Sequence, residues 1–338
     1  DLGRGPSQAI EILFLEKFVR LCKDGGVIGI ILPHGIFSDT RLSYVREFIK
    51  SHLMIIAIVS LPRNIFKGRE SRTSSKTCIL LAKKERKSFP QEVLFASIMS
   101  PEELATNDIK RKTFAFPEEF LYPEFYLQRN PLLENLPKLK QFNIEIIQGK
   151  AKYGEERKFS PQGIPFISAK VVTPLGIDFS RDKKFVQQGS SMDCEKAYTK
   201  VGDVLFVRVG VGCIGRTAVV TNESEVGIAD DWIYIIRIKD NRLSPYFLAL
   251  WLQTTFVQAE IRRLSRGVGT ITIPISLVKE IPILDCDKEL QDSCEGKYKE
   301  MVSLRKRGLT DEAFQIRQKI LEILERRMLL NNSLKGGK

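Results

Sequence analysis

Val27-Ile28-Gly29-Ile30-Ile31-Leu32-Pro33-His34-Gly35-Ile36-Phe37 is the stretch whose reading decides the fold class. Val27 to Leu32 is a continuous apolar run between turn signals. That pattern suits a strand buried on both faces, as in a parallel sheet. On its N-terminal side, residues 7–23 have helical periodicity, with Ile10, Leu13, Phe14, Phe18 and Leu21 on one face. Ser7 is placed to cap that helix, and Gly25-Gly26 to stop it. On the C-terminal side, residues 40–52 read as a second helix, Met54 to Leu61 as a second buried strand and Thr77 to Ala82 as a third. The order helix–strand–helix–strand–loop–strand is α/β in character.

Farther out the texture changes. Residues 99–142 are rich in Pro, Glu and Lys and read as a connector, with a helix expected near Leu132–Phe142. Residues 143–240 carry short β-like runs between Gly, Pro, Asp and Asn: Ile144–Ile147, Phe166–Val172, Asp203–Val209, Thr217–Val220 and Trp232–Ile238. This spacing predicts a mostly β, α+β domain. A helix over 244–264 follows, and Thr270–Ile273 with Ile281–Ile283 close the domain. Residues 288–306 are helical, with Leu290, Cys294, Tyr298 and Met301 on one side. Gly308 ends that helix and Thr310 can cap the next. There Ala313, Ile316, Ile320, Ile323 and Leu330 alternate in spacings of three and four, broken at Arg327, a short coiled-coil seam. The short link predicts an antiparallel helical hairpin. The expected division is 1–98, 99–142, 143–285, 286–332 for the hairpin and 333–338 as a disordered tail.

The chain of 338 residues has a formal charge of +12, an excess that favours a polyanionic partner, nucleic acid before membrane. A merely basic soluble protein is the plainer reading of the same number. Six cysteines, none in a C-x-x-C pair, argue against a zinc ribbon and for reduced core residues in a cytoplasmic protein. With only His34 and His52, a multi-histidine metal site is excluded, and no metal is expected. No apolar run approaches the about 18 residues of a membrane span, and no signal peptide is visible.

Two loops carry candidate chemistry. Leu32 to Phe37 follows a buried strand, and a loop there lies at the carboxyl edge of a parallel sheet, where ligands bind. A plain strand-to-helix turn explains it equally. The second loop runs from Leu61-Pro62-Arg63-Asn64-Ile65-Phe66-Lys67-Gly68 to Lys76-Thr77-Cys78. Phe66 beside Lys67, Arg69 and Arg72 is suited to stack a base while the cations hold phosphates. Phe66 plugging the sheet edge is the alternative.

Gln8–Gly26, Val27–Phe37, Ile56–Gly68 and Thr77–Lys83 resemble the second half of the N6-adenine methyltransferase domain of type I restriction–modification M subunits. The resemblance implies S-adenosylmethionine as the cofactor of the parent protein and implies that Phe66 stacks on a flipped adenine. It also requires a Gly-containing cofactor loop and an Asn-Pro-Pro-Tyr/Phe motif, and neither occurs in this sequence. The family order places both N-terminal to Asp1, and Asp1 to Pro6 resemble the loop just after the catalytic motif. The first residue is Asp rather than Met, so upstream material is expected, and no catalytic residue is assigned within this chain.

Residues 143–330 resemble one half of a type I specificity (S) subunit, a target-recognition domain with its helical spacer. The supporting segments are Phe166–Lys170, Gly202–Arg208, Gly212–Ala218, Ser244–Leu248, Gly269–Ile271 and Ile281–Ile283, in that order. Double-stranded DNA is the implied partner. Lys170, Arg208 and Arg216 near strand ends, with Arg262, Arg263 and Arg266 past a helix, are the candidate DNA-binding residues, since arginine forks bind guanine edges or phosphates. Solvated surface charge is the alternative for each. Spacer helices in S subunits separate two recognition domains; this chain has one. A homodimer through the C-terminal helices would restore the pair, and intramolecular packing is the other reading. A restriction subunit is a further implied partner. The expected function is sequence-specific recognition within an adenine N6-methyltransferase, or else a non-catalytic DNA-binding module that recruits a separate methylase or nuclease.

Overall fold

The computed structural model describes residues 2, 8–62, 65–66, 76–85, 92–98, 100, 102–103, 109–115, 120–150, 157–210, 212–266 and 270–335. The chain divides into two units, Asp1–Arg129 with Arg266–Gly269, and Asn130–Ser265 with Thr270–Lys338.

The first unit contains α1 (Ile10–Leu21), β1 (Val27–Pro33), α2 (His34–Ser38), α3 (Ser43–His52), β2 (Met54–Ser60), β3 (Thr77–Lys83), β4 (Glu92–Ser97), β5 (Lys110–Ala115) and α4 (Pro123–Leu127). The strands pair in the order β1-β3-β2-β4-β5. β3 is antiparallel to both β1 and β2, β2 and β4 are parallel, and β5 is antiparallel to β4. The unit is therefore α/β, but not the parallel sheet that the apolar runs predict. β1 and β2 do run in the same direction, with β3 between them. A continuous apolar run reports burial on both faces and not strand direction, so it does not distinguish a parallel neighbour from an antiparallel one.

Burial also differs from expectation. In α1, Ile12, Leu15 and Val19 are buried, while the predicted stripe of Ile10, Leu13, Phe14, Phe18 and Leu21 is exposed. The helix is apolar on two sides, and periodicity alone selects the longer stripe. Its N-cap is Ala9, without a side-chain bond, and Ser7 lies outside the described residues. β1 buries Ile28 and Leu32 but exposes Val27 and Ile31, so it is not covered on both faces by this chain. β5 falls within the stretch read as connector. Its Lys110-Arg111-Lys112 start masks the strand in composition, yet charge is what an edge strand uses against unwanted pairing.

The second unit begins with α5 (Pro131–Glu134). The helix expected over 132–142 is this short piece and a 3₁₀ turn at Leu139–Gln141, because Pro137 interrupts the ladder. There follow β6 (Ile144–Gln148), β7 (Ile164–Ile167), β8 (Val172–Thr173), β9 (Gly176–Ile177), β10 (Phe185–Val186), β11 (Val204–Val207), β12 (Thr217–Val219), β13 (Ile228–Ala229) and β14 (Ile233–Ile238). An antiparallel sheet runs β12-β11-β14-β6, a second runs β10-β7-β13, and β8 pairs with β9. The strand runs read from the sequence all contain strands here. The helix expected over 244–264 is two, α6 (Pro245–Trp251) and α7 (Thr255–Leu264). Thr270–Ile273 and Ile281–Ile283 contribute single bridges, Val209 to Thr272 and Lys138 to Pro282, rather than strands. After α8 (Ile275–Val278) come α9 (Lys288–Lys306) and α10 (Thr310–Lys335). Residues 333–335 of the expected disordered tail are instead the last residues of α10, and 336–338 lie outside the described residues.

Alternation explains the core. Leu205 and Val207 of β11 and Ile233 and Ile235 of β14 face one cluster with Val171, Val172 and Ala218. Their neighbours Val204, Phe206, Tyr234 and Ile236 are buried too, since α6 packs on the sheet. Trp251 is fully buried, and its Nε1 donates to the Pro282 carbonyl at 2.8 Å. The hairpin is stitched to the β framework. The Val219 amide donates to the Tyr298 hydroxyl at 2.8 Å, and Arg305 donates to the carbonyls of Leu175 and Ile177. Gly149 is required where it stands: a Cβ would meet the Asp230 carbonyl oxygen at 2.0 Å. In α10, Ala313, Ile320, Leu324 and Met328 are buried, whereas Ile323 and Leu330 of the predicted seam are exposed. Packing against α9 and α6 turns the seam part-way round the helix.

Candidate functional site

In the first unit, β1, β2 and β4 end at one edge of the sheet, because all three run in the same direction. β3 starts there. The residues delivered to that edge are His34, Ser60, Thr77 and Ser97, all buried. The backbone ties them together: the His34 amide donates to the Lys76 carbonyl, Leu61 to Thr77 and Ile98 to Ser60, each at 2.9 Å.

Glu124 of α4 reaches into this edge. Its Oε1 accepts from Lys76 Nζ at 2.5 Å and from Ser97 Oγ at 3.3 Å. Its Oε2 faces His34 Nε2 at 3.7 Å. The other ring nitrogen of His34 is 3.0 Å from Ser38 Oγ. Burial works against ionisation of Glu124, but the facing imidazole and the Lys76 ammonium outweigh it and hold the carboxyl well below the usual range. The carboxylate is therefore charged at any physiological pH. The adjacent Cys78 thiol is pushed up to about 12 by burial and by Glu124, so it is inert as a nucleophile. Arg46, fully buried, donates to the carbonyls of Ile36 and Asp39 and lies over the Phe120 ring.

Phe66 is 56% exposed. Lys67, Arg69 and Arg72 lie outside the described residues. Glu124, Lys76 and Arg46 escaped sequence reasoning. Glu124 sits in the stretch taken for a connector, where the signal was the aromatic run Phe120-Leu121-Tyr122-Pro123-Glu124-Phe125-Tyr126 in otherwise polar surroundings. That run is core: Tyr126 stacks on Phe95 at 4.2 Å.

Of the six cations expected from the second resemblance, five lie in the second unit, and the six separate into groups. Lys170 and Arg262 are exposed and Arg216 is half-buried, donating to the Gly212 carbonyl at 3.2 Å. Arg208 is committed inward: it donates to the Asp231 carbonyl at 2.6 Å and to Thr272 Oγ1 at 3.2 Å, and it lies over the Tyr234 ring. Arg263 is buried in a two-bond pair with Glu260. Arg266, which groups with the first unit, is buried with its guanidinium 3.7 Å from the Phe120 ring centroid. One acidic pair was not foreseen. Asp230 binds Arg157 at 2.6 Å, yet burial, followed by the neighbouring Asp231, pushes its carboxyl up to about 6. Among the described residues, no group of three or more His, Cys, Asp or Glu side chains could hold a metal, and no helix is long and apolar enough to cross a membrane.

Residues 2–120 match the N-6 DNA Methylase family. The exposed Phe66 and the polar strand ends lie within the matched residues; Glu124 lies just beyond them. Among solved structures, the type IIG restriction endonuclease BpuSI is similar over 94% of this chain and 49% of that one, at 13% identity and a TM-score of 0.41. The HsdS subunit from Thermoanaerobacter tengcongensis is similar over 59% of this chain and 46% of its own, at 16% identity and a TM-score of 0.35. A type I restriction–modification methyltransferase subunit from Streptococcus thermophilus is similar over 31% of this chain and 25% of its own, at 24% identity and a TM-score of 0.25. The chain thus spans half or less of the length of these proteins. No curated protein matches it.

The strand-to-helix turn after β1 carries Pro33, a buried His34 packed against Glu124 and Tyr122, and Gly35, beside which there is open space.

Proposed function

We propose that this chain is the DNA-recognition part of an adenine N6-methyltransferase of a restriction–modification system. The observation that carries the reading is the N-6 DNA Methylase match over residues 2–120, with Phe66 exposed within it. Phe66 receives the flipped adenine, since an exposed ring offers a stacking face that any extruded base can use. The β-rich second unit reads the sequence, with Lys170, Arg216 and Arg262 as its candidate DNA contacts and Lys67, Arg69 and Arg72 holding phosphates beside Phe66. S-adenosylmethionine and the Asn-Pro-Pro-aromatic chemistry are supplied by sequence outside this chain. The second reading is a DNA-binding module that recruits a separate methylase or nuclease.

The test is selection of bound duplexes from a random-sequence pool by this chain at fixed salt. Enrichment of one sequence, with affinity falling as salt rises, supports recognition. Binding without enrichment, or binding displaced better by RNA than by duplex DNA, sinks it. Methyl transfer after adding a methylase subunit separates the two readings. We further propose that the exposed Ile323 and Leu330 of α10 join two copies. Sedimentation as a monomer at all concentrations removes that part.

A further inference from the structure

Within the second unit, and resting on its reading as the sequence reader, we propose that Arg157 reads one guanine through the major groove of duplex DNA and that Asp230 is its positioning residue.

A base-reading arginine must be anchored and still have donors to spare. Arg237 and Arg242 each spend both arms of the guanidinium on one aspartate, Asp203 and Asp240. Arg208 and Arg263 are spent on internal partners in the same way. Arg262 is the opposite case: it is exposed, and its side chain has no partner among the described residues. Arg157 has both properties. One Nη donates to Asp230 Oδ2 at 2.6 Å. The guanidinium lies over two rings, 5.8 Å from the centroid of Phe159 and 5.4 Å from that of Phe166. Its other donors have no partner among the described residues, and the side chain is 28% exposed.

The anchor is itself fixed. Phe166 is fully buried in β7, and Phe159 packs on it at 4.9 Å. Asp230 is buried at the turn between β13 and β14. Its amide donates to the Ile167 carbonyl at 2.9 Å, and its carbonyl accepts from the Ile233 amide at 3.0 Å. The carboxylate therefore meets Arg157 from a set point, while the rings hold the plane of the fork. Such preorganisation reduces the entropy lost when the remaining N–H groups bind.

The charge balance favours a base over a phosphate. The Asp230 carboxylate offsets the charge of Arg157, which weakens its pull on a phosphate but leaves its donors free for an uncharged base edge. Guanine presents O6 and N7 side by side in the major groove, two acceptors that match two guanidinium donors; adenine puts a donor beside its N7. Cations for the backbone stand near. Lys184 lies 5.1 Å from the Phe159 centroid and pairs with Asp182, which accepts from Ser168 Oγ. Lys170, two positions beyond Ser168, is exposed. Phosphate contacts of this kind set register, and the base contact sets sequence.

The test uses the full 338-residue chain at about pH 8, above the value of about 6 to which burial pushes the Asp230 carboxyl. The preferred duplex is selected from a random pool. Each guanine in it is then replaced in turn by 7-deazaguanine, which pairs normally and keeps O6 but lacks N7. At one position this change is expected to weaken binding by the unchanged chain roughly tenfold and to cost Arg157→Ala nothing further, as a direct contact requires. Arg157→Ala relaxes the base preference at that position alone. Arg157→Lys keeps the charge but has no fork, so it is expected to lose the same preference while melting with the parent. Asp230→Asn is expected to lose several-fold of the preference at that position and nowhere else, whereas a merely structural role would weaken every position alike. Lys170→Ala is the phosphate standard: it weakens all sequences uniformly and lowers the salt slope by about one. An R157A chain that behaves like K170A, with every base preference retained, makes Arg157 a phosphate contact and overturns the proposal. So does a selected site at which R157A still bears every 7-deazaguanine cost, although sequence reading by the second unit then stands. Enrichment of no sequence at all overturns that reading and the proposal together. A D230N chain that matches the parent at every position removes the role of Asp230.

Discussion

The two units cover their sheets differently. In the second, β11 and β14 are buried on both faces, Trp251 and Tyr298 are sealed, and α9 is bonded to the strands it covers, while the exposed apolar residues Ile323 and Leu330 stand out on α10. The first leaves one side of α1 open, with Ile10 and Leu21 67% and 75% exposed, and Val27 and Ile31 of β1 exposed as well.

The largest expected effect is Trp251→Ala. It empties a sealed site and should cost about 3–5 kcal/mol in urea unfolding; a loss under about 1 kcal/mol would mean that the second core is not closed as described. Next is Asp230→Asn. The carboxyl is pushed up to about 6 in the folded unit, above its ordinary value. The folded state then binds the proton more tightly than the unfolded state. Its contribution is present at acid pH and fades as pH rises through 6. The Asn variant should gain on the parent between pH 4 and pH 7 by up to about 3 kcal/mol, reduced by the lost Arg157 pair. A difference that is flat with pH would refute the assignment. Tyr298→Phe leaves the Val219 amide buried without its acceptor and should cost about 1–2 kcal/mol by the same unfolding measurement. The smallest effect is expected in the first unit: Phe14→Ser with Phe18→Ser should change stability by about 0.5 kcal/mol or less per site while lowering self-association in light scattering. A large loss of stability would erase the contrast between the units.

Much of the fold was legible because local pattern and burial agree in most places. Every β run read in the second unit contains a strand, and the hairpin helices begin and end within a few residues of expectation. The misses share a cause. α1 is apolar on two sides, so periodicity could not say which stripe meets β1. Val27 to Leu32 was apolar throughout, so the antiparallel insertion of β3 could not be read from it. Arg208, Arg263 and Arg266 look in sequence like any other cations, yet Arg208 and Arg263 are held by internal partners and Arg266 is buried against Phe120. Phe66 could be singled out because an aromatic among cations is a local feature. Glu124 could not, since what makes it notable is Lys76 and His34, which are 48 and 90 positions distant.

Residue type and spacing were thus enough to establish an α/β start, a β-rich second half and a helical hairpin, all of them properties of short windows of chain. Strand order, the buried side of α1, the rotation of the α10 seam and the clustering of strand ends around Glu124 were decided only in three dimensions. Each depends on which distant segment supplies the partner, and burial and ion pairing act on neighbours in space, whatever their separation along the chain.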